Sequence, residues 1–206
     1  MFGRKQQPPP VCDLLVVGLG NPGPEYRHTR HNAGADVVEL LAARAGERLR
    51  ASGKDLAMTA DARLAGHRLA LAFPQTYMNE SGNAVGRLVR RYGIEDFTAL
   101  VVVHDELDLP LGRLQVKAGG GLAGHNGLRS IRDHLRSADF TRVRIGIGKP
   151  SSAAQGAGHV LSRPSKREGE ELAVVIEEAA DAVELIAAEG VTAAQTRYNT
   201  RTNGDT

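Results

Sequence analysis

A continuous apolar run, Leu14–Gly18 (LLVVG), is followed at once by the glycine- and proline-rich residues 19–24 (LGNPGP). An apolar run without polar alternation is typical of a strand that is buried on both faces of a sheet. A second run of this kind, residues 99–104 (ALVVVH), lies further along the chain. Buried strands separated by helical patterns predict an α/β protein with helices on both sides of the sheet.

Helices and strands alternate along the rest of the chain. Apolar spacing predicts helices at residues 29–45, at 81–92, through Leu128 and Leu135, and after a capping box at Ser165. Residues 56–65 and 68–73 are predicted as two strands joined at Gly66-His67, and such a hairpin makes the sheet mixed.

Two further segments carry structural expectations. Arg142 and Arg144 alternate with apolar Val143 and Ile145, which predicts a strand with one solvent-facing side. Residues 149–164 show no such pattern and are predicted as a long loop.

Length and composition indicate one soluble domain. The 206 residues suit a single domain at residues 11–192, with a disordered leader at 1–10 and a polar tail at 193–206. No apolar run approaches the ~20 residues that span a bilayer, and the leader lacks a secretory apolar stretch. The single cysteine, Cys12, excludes an intramolecular disulfide and a cysteine-rich zinc site. The cytoplasm is the expected compartment. The formal charge of +2 does not by itself demand a nucleic-acid partner.

The turn after the first strand matches G-x-G-x-x-G, the dinucleotide-binding fingerprint, at residues 18–23. That fingerprint needs a helix to open within the glycines, and Pro22 and Pro24 oppose one. The acidic residue expected about 20 positions further on, at the end of a second strand, is also missing. The turn instead places Asn21 at the carboxyl end of a strand, either as a site residue or as an ordinary turn residue.

His31 follows a candidate helix cap, Thr29, so it is predicted in the first helical turn. A helix N-terminus disfavours the imidazolium, which suits a neutral histidine to general-base work. The alternative is a surface histidine without function.

The segment His104-Asp105-Glu106-Leu107-Asp108 follows the second buried strand. Three carboxylates and a histidine suit a metal site, but no partner ligands are apparent elsewhere, so no metal is predicted. Asp105, first past the strand, is better placed to orient a histidine.

Three asparagines lie in turns next to predicted strand or helix ends: Asn21, Asn79 and, in the glycine-rich residues 119–127, Asn126. Each amide offers a donor and an acceptor. Their convergence would suit a peptide-like backbone better than a sugar or a bare anion.

Five motifs together resemble bacterial-type peptidyl-tRNA hydrolases. They are LLVVGLGNPGPEY, TRHNAGAD, PQTYMNESG, HDELDLPLG and GHNGLRSI, in the order and near the spacing of that family, from about Leu14 to about Gly190. The resemblance implies a single α/β domain with a twisted mixed β-sheet surrounded by helices. It also implies a cytoplasmic, monomeric enzyme that needs no cofactor and hydrolyses the ester between the peptide and the terminal ribose of peptidyl-tRNA.

Residue roles follow from the resemblance. His31 matches the catalytic base and Asp105 the carboxylate that orients it, while Asn21 matches a residue that holds substrate near the scissile ester. The residues implied in substrate binding are Asn79 and Asn126 at the peptide backbone, Tyr26 at the tRNA end and Tyr77 at the peptide groove. The implied mechanism is attack by water activated by His31, without a covalent intermediate.

The chain departs from the family pattern at two positions. Gln115 stands where some members have a basic residue that clamps the tRNA 5′-phosphate, and Ala123 stands where a second glycine is usual. Lys117 and Arg144 lie near the glycine loop, and Arg129, Arg132 and Arg136 share a helix face by spacing. We therefore expect Lys117, Arg129, Arg132 and Arg144 to contact tRNA phosphates, against the simpler interpretation of a solvated helix face.

Two other classes of function compete with this interpretation. One is an RNA-binding protein of the same fold that has lost catalysis, which absence of His31 or Asp105 would favour; both are present. The other is a nucleotide-dependent oxidoreductase, which the proline-interrupted turn disfavours.

Overall fold

The computed structural model describes residues 12–150, 152 and 155–199. The predicted leader, residues 1–10, and the last part of the predicted tail, residues 200–206, lie outside this range. The described residues form one α/β unit, in which a seven-stranded mixed sheet lies between two layers of helices. The predicted fold class is therefore confirmed. Among the described helices, none combines the length and the apolar character needed to cross a membrane.

The sheet has a parallel centre and antiparallel edges. Its strands are β1 (Leu14–Gly18), β2 (Arg50–Ser52), β3 (Ala57–Leu64), β4 (His67–Pro74), β5 (Leu100–Glu106), β6 (Leu114–Ala118) and β7 (Thr141–Gly146). They are arranged in the order β2-β3-β4-β1-β5-β7-β6. Strands β4, β1, β5 and β7 run parallel, so their carboxyl ends meet at one edge of the sheet. The chain leaves β1 towards β4 and later returns to β5 on its other side, which makes the end of β1 a topological switch point.

Helices cover both faces of the sheet. They are α1 (Ala33–Arg44), α2 (Ser81–Tyr92), α3 (Asn126–Leu135), α4 (Gly156–Leu161), α5 (Lys166–Glu189) and α6 (Val191–Asn199). Helices α1 and α5 pack on Val16 and Val101, whereas α2 and α3 pack on Leu15 and Val102. Because neighbouring residues of β1 face different helix layers, every position of that strand is buried.

The predicted element boundaries are most accurate where a glycine or a capping residue marks the end of a helix or strand. Helix α2 has the predicted bounds and ends at Gly93, whose φ of +64° only glycine adopts readily. Ser165 forms the predicted capping box at the start of α5. The β3–β4 turn is formed by Ala65 and Gly66, both with positive φ, one position earlier than predicted.

The first helix begins differently from its prediction. A 3₁₀ turn, Arg30–Asn32, precedes α1, and His31 lies in this turn. Thr29 has the extended backbone of a helix cap, but its hydroxyl donates to the carbonyl of Tyr26 at 2.8 Å instead of capping the helix.

The predicted solvent-facing side of β7 is wrong. Arg142 and Arg144 are both buried, because β7 lies between β5 and β6 and is not an exposed strand. Arg142 donates to the carbonyl oxygens of Gly119 and Gly121 in the glycine-rich loop, to Gly121 at 2.6 Å. Two arginines in alternation were therefore a sign of buried polar contacts, not of solvent.

The C-terminal prediction of a polar tail from residue 193 is wrong for the described residues. Helix α6 continues to Asn199 and buries Ala194 and Tyr198. The Asn199 side chain accepts from the backbone N–H of Val116 and donates to its carbonyl, both at 2.8 Å. An amide that mimics a neighbouring strand in this way covers the open edge of β6. The predicted loop at 149–164 likewise contains a short helix, α4.

Candidate active site

The candidate active site lies at the carboxyl ends of β1, β4 and β5. Asn21 follows β1, Asn79 follows β4, and Asp105 is near the end of β5. Parallel strands end at the same edge of the sheet, so residues far apart in the chain meet here. Beyond β1 the chain forms a 3₁₀ turn at Pro24–Tyr26, and no α-helix begins before Ala33. The structure therefore lacks the helix that a dinucleotide fingerprint requires next to its glycines.

His31 and Asp105 form the predicted pair. The Nδ1 atom of His31 lies 2.8 Å from Oδ1 of Asp105; the His31 side chain is 12% exposed and that of Asp105 is 2% exposed. An ionised carboxylate only accepts, so Nδ1 carries the proton and donates to Asp105. That tautomer leaves Nε2 of His31 as the basic ring nitrogen.

Two glycines allow the His31 turn to approach the sheet this closely. A Cβ at Gly34 would lie 2.2 Å from the carbonyl oxygen of Val103, and one at Gly18 would lie 2.1 Å from the carbonyl oxygen of Gly34. Any side chain at either position would therefore push α1 away from β1 and β5. The glycine of the TRHNAG motif thus allows the turn that carries His31 to lie close to the end of β5, where Asp105 is.

His125 is a second partner of Asp105, and the sequence analysis assigned it no role. Its Nε2 donates to Oδ1 of Asp105 at 3.1 Å, the same oxygen that accepts from His31. Its Nδ1 accepts from the backbone N–H groups of Gly127 and Leu128, at 3.2 and 3.4 Å, as the N-cap of α3. Both nitrogens are thereby assigned, which holds His125 as a neutral donor.

These contacts keep Asp105 ionised. Burial on its own raises the pKa of a carboxyl group. The electrostatic interaction with His31 and the hydrogen bonds from His125 and His31 outweigh burial here, and they lower the pKa of Asp105 well below its ordinary value. Asp105 is therefore an anion at physiological pH and can stabilise a positive charge on His31.

His104 packs next to the His31–Asp105 pair on its buried side. It is fully buried, and its Nδ1 lies 2.7 Å from the carbonyl oxygen of Asp105. Burial lowers the pKa of His104 well below its ordinary value, so the ring is neutral. Its ring packs edge-on against that of His125, with centroids 4.9 Å apart. The histidine of HDELD thus packs against the site, and its Nε2 is buried without a hydrogen-bond partner among the described residues.

Asn21 is held rigidly from both sides. Its backbone N–H donates to Oδ1 of Asn32, and Nδ2 of Asn32 donates to its carbonyl, both at 2.9 Å. Its side-chain oxygen accepts from the backbone N–H of Met78 at 2.8 Å. The acceptor of the Asn21 amide is therefore used, and its Nδ2 donors remain. Asn32, which positions Asn21, was not singled out from the sequence.

The three asparagine segments converge around Met78. Besides its bond to Asn21, Met78 packs so closely on Gly127 that a Cβ there would lie 2.6 Å from its sulfur. Asn79 and Asn126 are the exposed neighbours of these two residues. Asn126 accepts a hydrogen bond from Arg129. The predicted convergence of three amides is consistent with this arrangement.

A cavity of about 280 Å³ opens beside His31 and Asp105. The glycine-rich loop forms one wall through Ala123 to Asn126, and α4 forms another through Gly156, Ala157 and Val160. Ala123, the position where the family usually has glycine, has a φ of +48°, which a non-glycine residue adopts at a cost. The predicted aromatic residues lie nearby in sequence: Tyr77 is 58% exposed beside Met78, and Tyr26 closes the turn after Asn21.

The predicted tRNA-contacting residues have different environments. Lys117 and Arg129 are exposed, and Arg132 is exposed but paired with Asp133 at 2.7 Å. Arg136 leaves the shared face because α3 has ended and its φ is +53°. Arg144 is buried against Glu106 at 2.8 Å and donates to Gln115. Its charge is therefore already neutralised, contrary to the expectation of a free cation.

A metal fits this donor set poorly. Ligand atoms of His31, Asp105 and His125 lie within 4.8 Å of one another. A metal on Nε2 of His125 would move the ring proton to Nδ1, which already accepts from two backbone N–H groups. The other acids of the segment pair with cations, Glu106 with Arg144 and Asp108 with Lys149. The hydrogen bonds of this cluster therefore suit protonated ring nitrogens on both histidines better than a bound metal.

Known proteins are similar to this chain over nearly its whole length. The family model "Peptidyl-tRNA hydrolase" matches residues 15–205. A peptidyl-tRNA hydrolase of Mycolicibacterium vanbaalenii is 51% identical over 182 residues, which cover 88% of this chain and 94% of the relative. One of Rhodococcus erythropolis is 49% identical over 185 residues, which cover 90% and 97%.

Solved structures agree. A crystal structure of peptidyl-tRNA hydrolase from Acinetobacter baumannii superposes with a TM-score of 0.86 at 40% identity, over 92% of this chain and 96% of that chain. The fold, the family and the hydrolase class predicted from the sequence are confirmed. The chain belongs to the peptidyl-tRNA hydrolase family.

Proposed function

We propose that His31 and Asp105 carry out the reaction of this family, hydrolysis of the ester bond between a peptide and the terminal ribose of tRNA. The observation that carries the proposal is the 2.8 Å bond between the His31 Nδ1 and Asp105 Oδ1 atoms at the edge of a cavity. It leaves Nε2 of His31 as the base available to a water molecule. The competing RNA-binding role without catalysis has no use for this buried and fully oriented pair.

The mechanism follows from the protonation states. Nε2 of His31 takes a proton from water as the water oxygen attacks the ester carbonyl. The resulting imidazolium is stabilised by the Asp105 anion. When the tetrahedral intermediate collapses, the ester oxygen leaves with the ribose and takes the proton back from His31. The products are the free peptide acid and tRNA, and the histidine is neutral again.

The amide groups supply the other interactions. The oxygen of Asn21 accepts from Met78, so its Nδ2 donors are the groups left to contact substrate, and there they would stabilise the developing oxyanion. The exposed amides of Asn79 and Asn126 bind the peptide backbone, with Tyr77 beside them and Tyr26 towards the tRNA end. A cytoplasmic location and a monomeric state stay predictions from the sequence.

The proposed activity is tested by incubating purified protein with a defined peptidyl-tRNA and measuring release of free tRNA. We expect turnover by catalytic amounts of protein. Binding of the peptidyl-tRNA with no release of tRNA would instead support the RNA-binding alternative.

Hydrolysis is expected to be independent of transition metals. The reason is that the His125 cap and the Asp105 hydrogen bonds occupy the groups that a metal would need. We expect the initial rate to be unchanged by excess 1,10-phenanthroline, with magnesium held constant so that the tRNA stays folded. A loss of rate that zinc or manganese restores would contradict this and return Asp105 and its neighbours to the role of ligands.

We propose that Lys117, Arg129 and Arg132 contact acceptor-stem phosphates, with Arg144 acting only through its buried pair with Glu106. Each phosphate contact contributes a salt slope of about −0.7 to −0.9. The double variant Arg129→Ala/Arg132→Ala should raise KM alike for different tRNAs, spare kcat, and flatten the slope of log KM against log salt by about 1.5.

The matched control for this double variant is Arg167→Ala. Arg167 is an exposed arginine on α5, across the sheet, and it pairs with Glu171 much as Arg132 pairs with Asp133. The control should keep the wild-type slope. If the double variant keeps it as well, the arginines form only a solvated face and the tRNA is held elsewhere.

A further inference from the structure

Arg30 precedes His31 in the same 3₁₀ turn and takes no part in the proposed chemistry. It is only 5% exposed, so its charge is almost removed from water. A buried cation is stable only when anions and dipoles surround it. The partners of the Arg30 guanidinium therefore identify the segment that it anchors.

The partners of Arg30 belong to the segment that begins with α4. Its Nη1 donates to Oγ of Ser162 at 2.7 Å and lies 3.3–3.4 Å from the carbonyl oxygens of His159, Ser162 and Arg163. Its own backbone N–H donates to the carbonyl of Ser162 at 3.3 Å. One side chain thus binds carbonyl oxygens at and just beyond the carboxyl end of α4, where the carbonyl of His159 also accepts from the backbone N–H and the hydroxyl of Ser162.

Glu168 supplies the counter-charge. Nη2 of Arg30 lies 3.0 Å from its Oε1. Hydrogen bonds from Ser165 and the neighbouring Arg30 lower the pKa of Glu168 to about 2, so the pair is ionic at any physiological pH. The planar fork of arginine is needed to reach Glu168 and the α4 carbonyls together; a lysine ammonium is a point charge that can serve only some of them.

The segment held in this way is a wall of the catalytic cavity. Gly156, Ala157 and Val160 of α4 line the space beside His31. Arg30 and His31 are consecutive residues of one 3₁₀ turn. The α4 wall is therefore connected to His31 through the side chain of the preceding residue. Two further contacts join α4 to the body of the protein: Val160 packs against the apolar core, and Nε2 of His159 lies 3.2 Å from the carbonyl oxygen of Ile147.

We propose that Arg30, with Glu168, is a positioning residue for hydrolysis, which holds the α4 wall against substrate and in register with His31. The inference rests on the hydrolytic role proposed above for His31. Displacement of a substrate-contacting wall by about 1 Å can cost a hundredfold in rate. Loss of the contact should therefore act on catalysis and on substrate binding together.

The experiment compares Arg30→Lys and the milder Glu168→Gln with Arg167→Ala, which removes an exposed arginine of α5 from its pair with Glu171. Hydrogen exchange is followed at residues 155–163, and kcat and KM are measured with one peptidyl-tRNA. We expect Arg30→Lys to raise exchange in α4, to lower kcat/KM about 10- to 100-fold and to raise KM. Glu168→Gln should change all three in the same direction, and Arg167→Ala none.

The outcomes separate positioning from a merely structural role. A partly unfolded variant has a lower apparent kcat with an unchanged KM, and its exchange rises throughout the sheet; that result would overturn the proposal. Faster exchange in α4 with kcat/KM within twofold of wild type would overturn it too, as would unchanged exchange. Failure of the wild-type protein to release tRNA would instead defeat the hydrolytic function, whatever the exchange data show.

Discussion

Replacement of His31 by alanine is expected to lower kcat/KM for peptidyl-tRNA by about 10²- to 10⁴-fold, the usual contribution of a general base. The fold should persist. The side chain of His31 donates to Asp105, and in the variant Asp105 keeps its hydrogen bond from His125. The measurement is the rate of tRNA release, with circular dichroism to check folding and a filter-binding assay to check tRNA affinity.

The matched control for this variant is His67→Ala. His67 begins β4, at the opposite end of the parallel strands from the site, and pairs only loosely with Asp13, at 3.7 Å. Its replacement should leave the rate unchanged. Activity of His31→Ala within about threefold of wild type would remove His31 from the mechanism, because no base contributes so little.

Replacement of Asp105 by asparagine is expected to lower the rate about 10- to 100-fold, less than loss of the imidazole itself. Asparagine keeps an oxygen that can accept from both histidines, so the ring of His31 stays oriented. It removes the anion that stabilises the imidazolium formed during attack. The loss should appear in kcat more than in KM, since this charge matters only once His31 has gained a proton.

The pH profile tests the same pair independently. In the wild-type protein, the Asp105 carboxyl has a pKa well below its ordinary value, so it stays ionised as pH falls through the acid range. The acidic limb of kcat/KM therefore does not report protonation of Asp105. Without the anion a protonated His31 is less stable, so Asp105→Asn should move this limb to lower pH. An unmoved limb would count against the pairing.

The sequence predicted the central elements of the fold well because their signals are local. LLVVG is buried on both faces, and helix α2 ends at Gly93 as its pattern indicated. Glycine conformations, proline positions and capping boxes depend on a few consecutive residues. The same is true of the family motifs, which place His31 just before a helix and Asp105 near the end of a strand.

Errors arose where the same local pattern has two explanations. Alternating Arg142 and Arg144 read as a solvent-facing side, but the glycine-rich loop and Glu106 cover them. Small and polar residues from 193 onward were predicted as a tail, although one apolar side of α6 packs in the core and the amide of Asn199 pairs with β6. Burial of a polar residue depends on what packs above it, which spacing along the chain does not report.

By itself, then, the sequence determined the α/β class, the family and the His31–Asp105 pair. Buried strands, glycine and proline turns and the order of the motifs can all be recognised from short stretches of consecutive residues. Only the tertiary structure decided how that pair is supported. His125 shares an oxygen of Asp105 from 20 residues away, and Arg30 holds His159 from 129 residues away. Such contacts depend on how the elements pack, and many sequences with the same local pattern would pack without them. The support of His31 is therefore a property of the folded molecule.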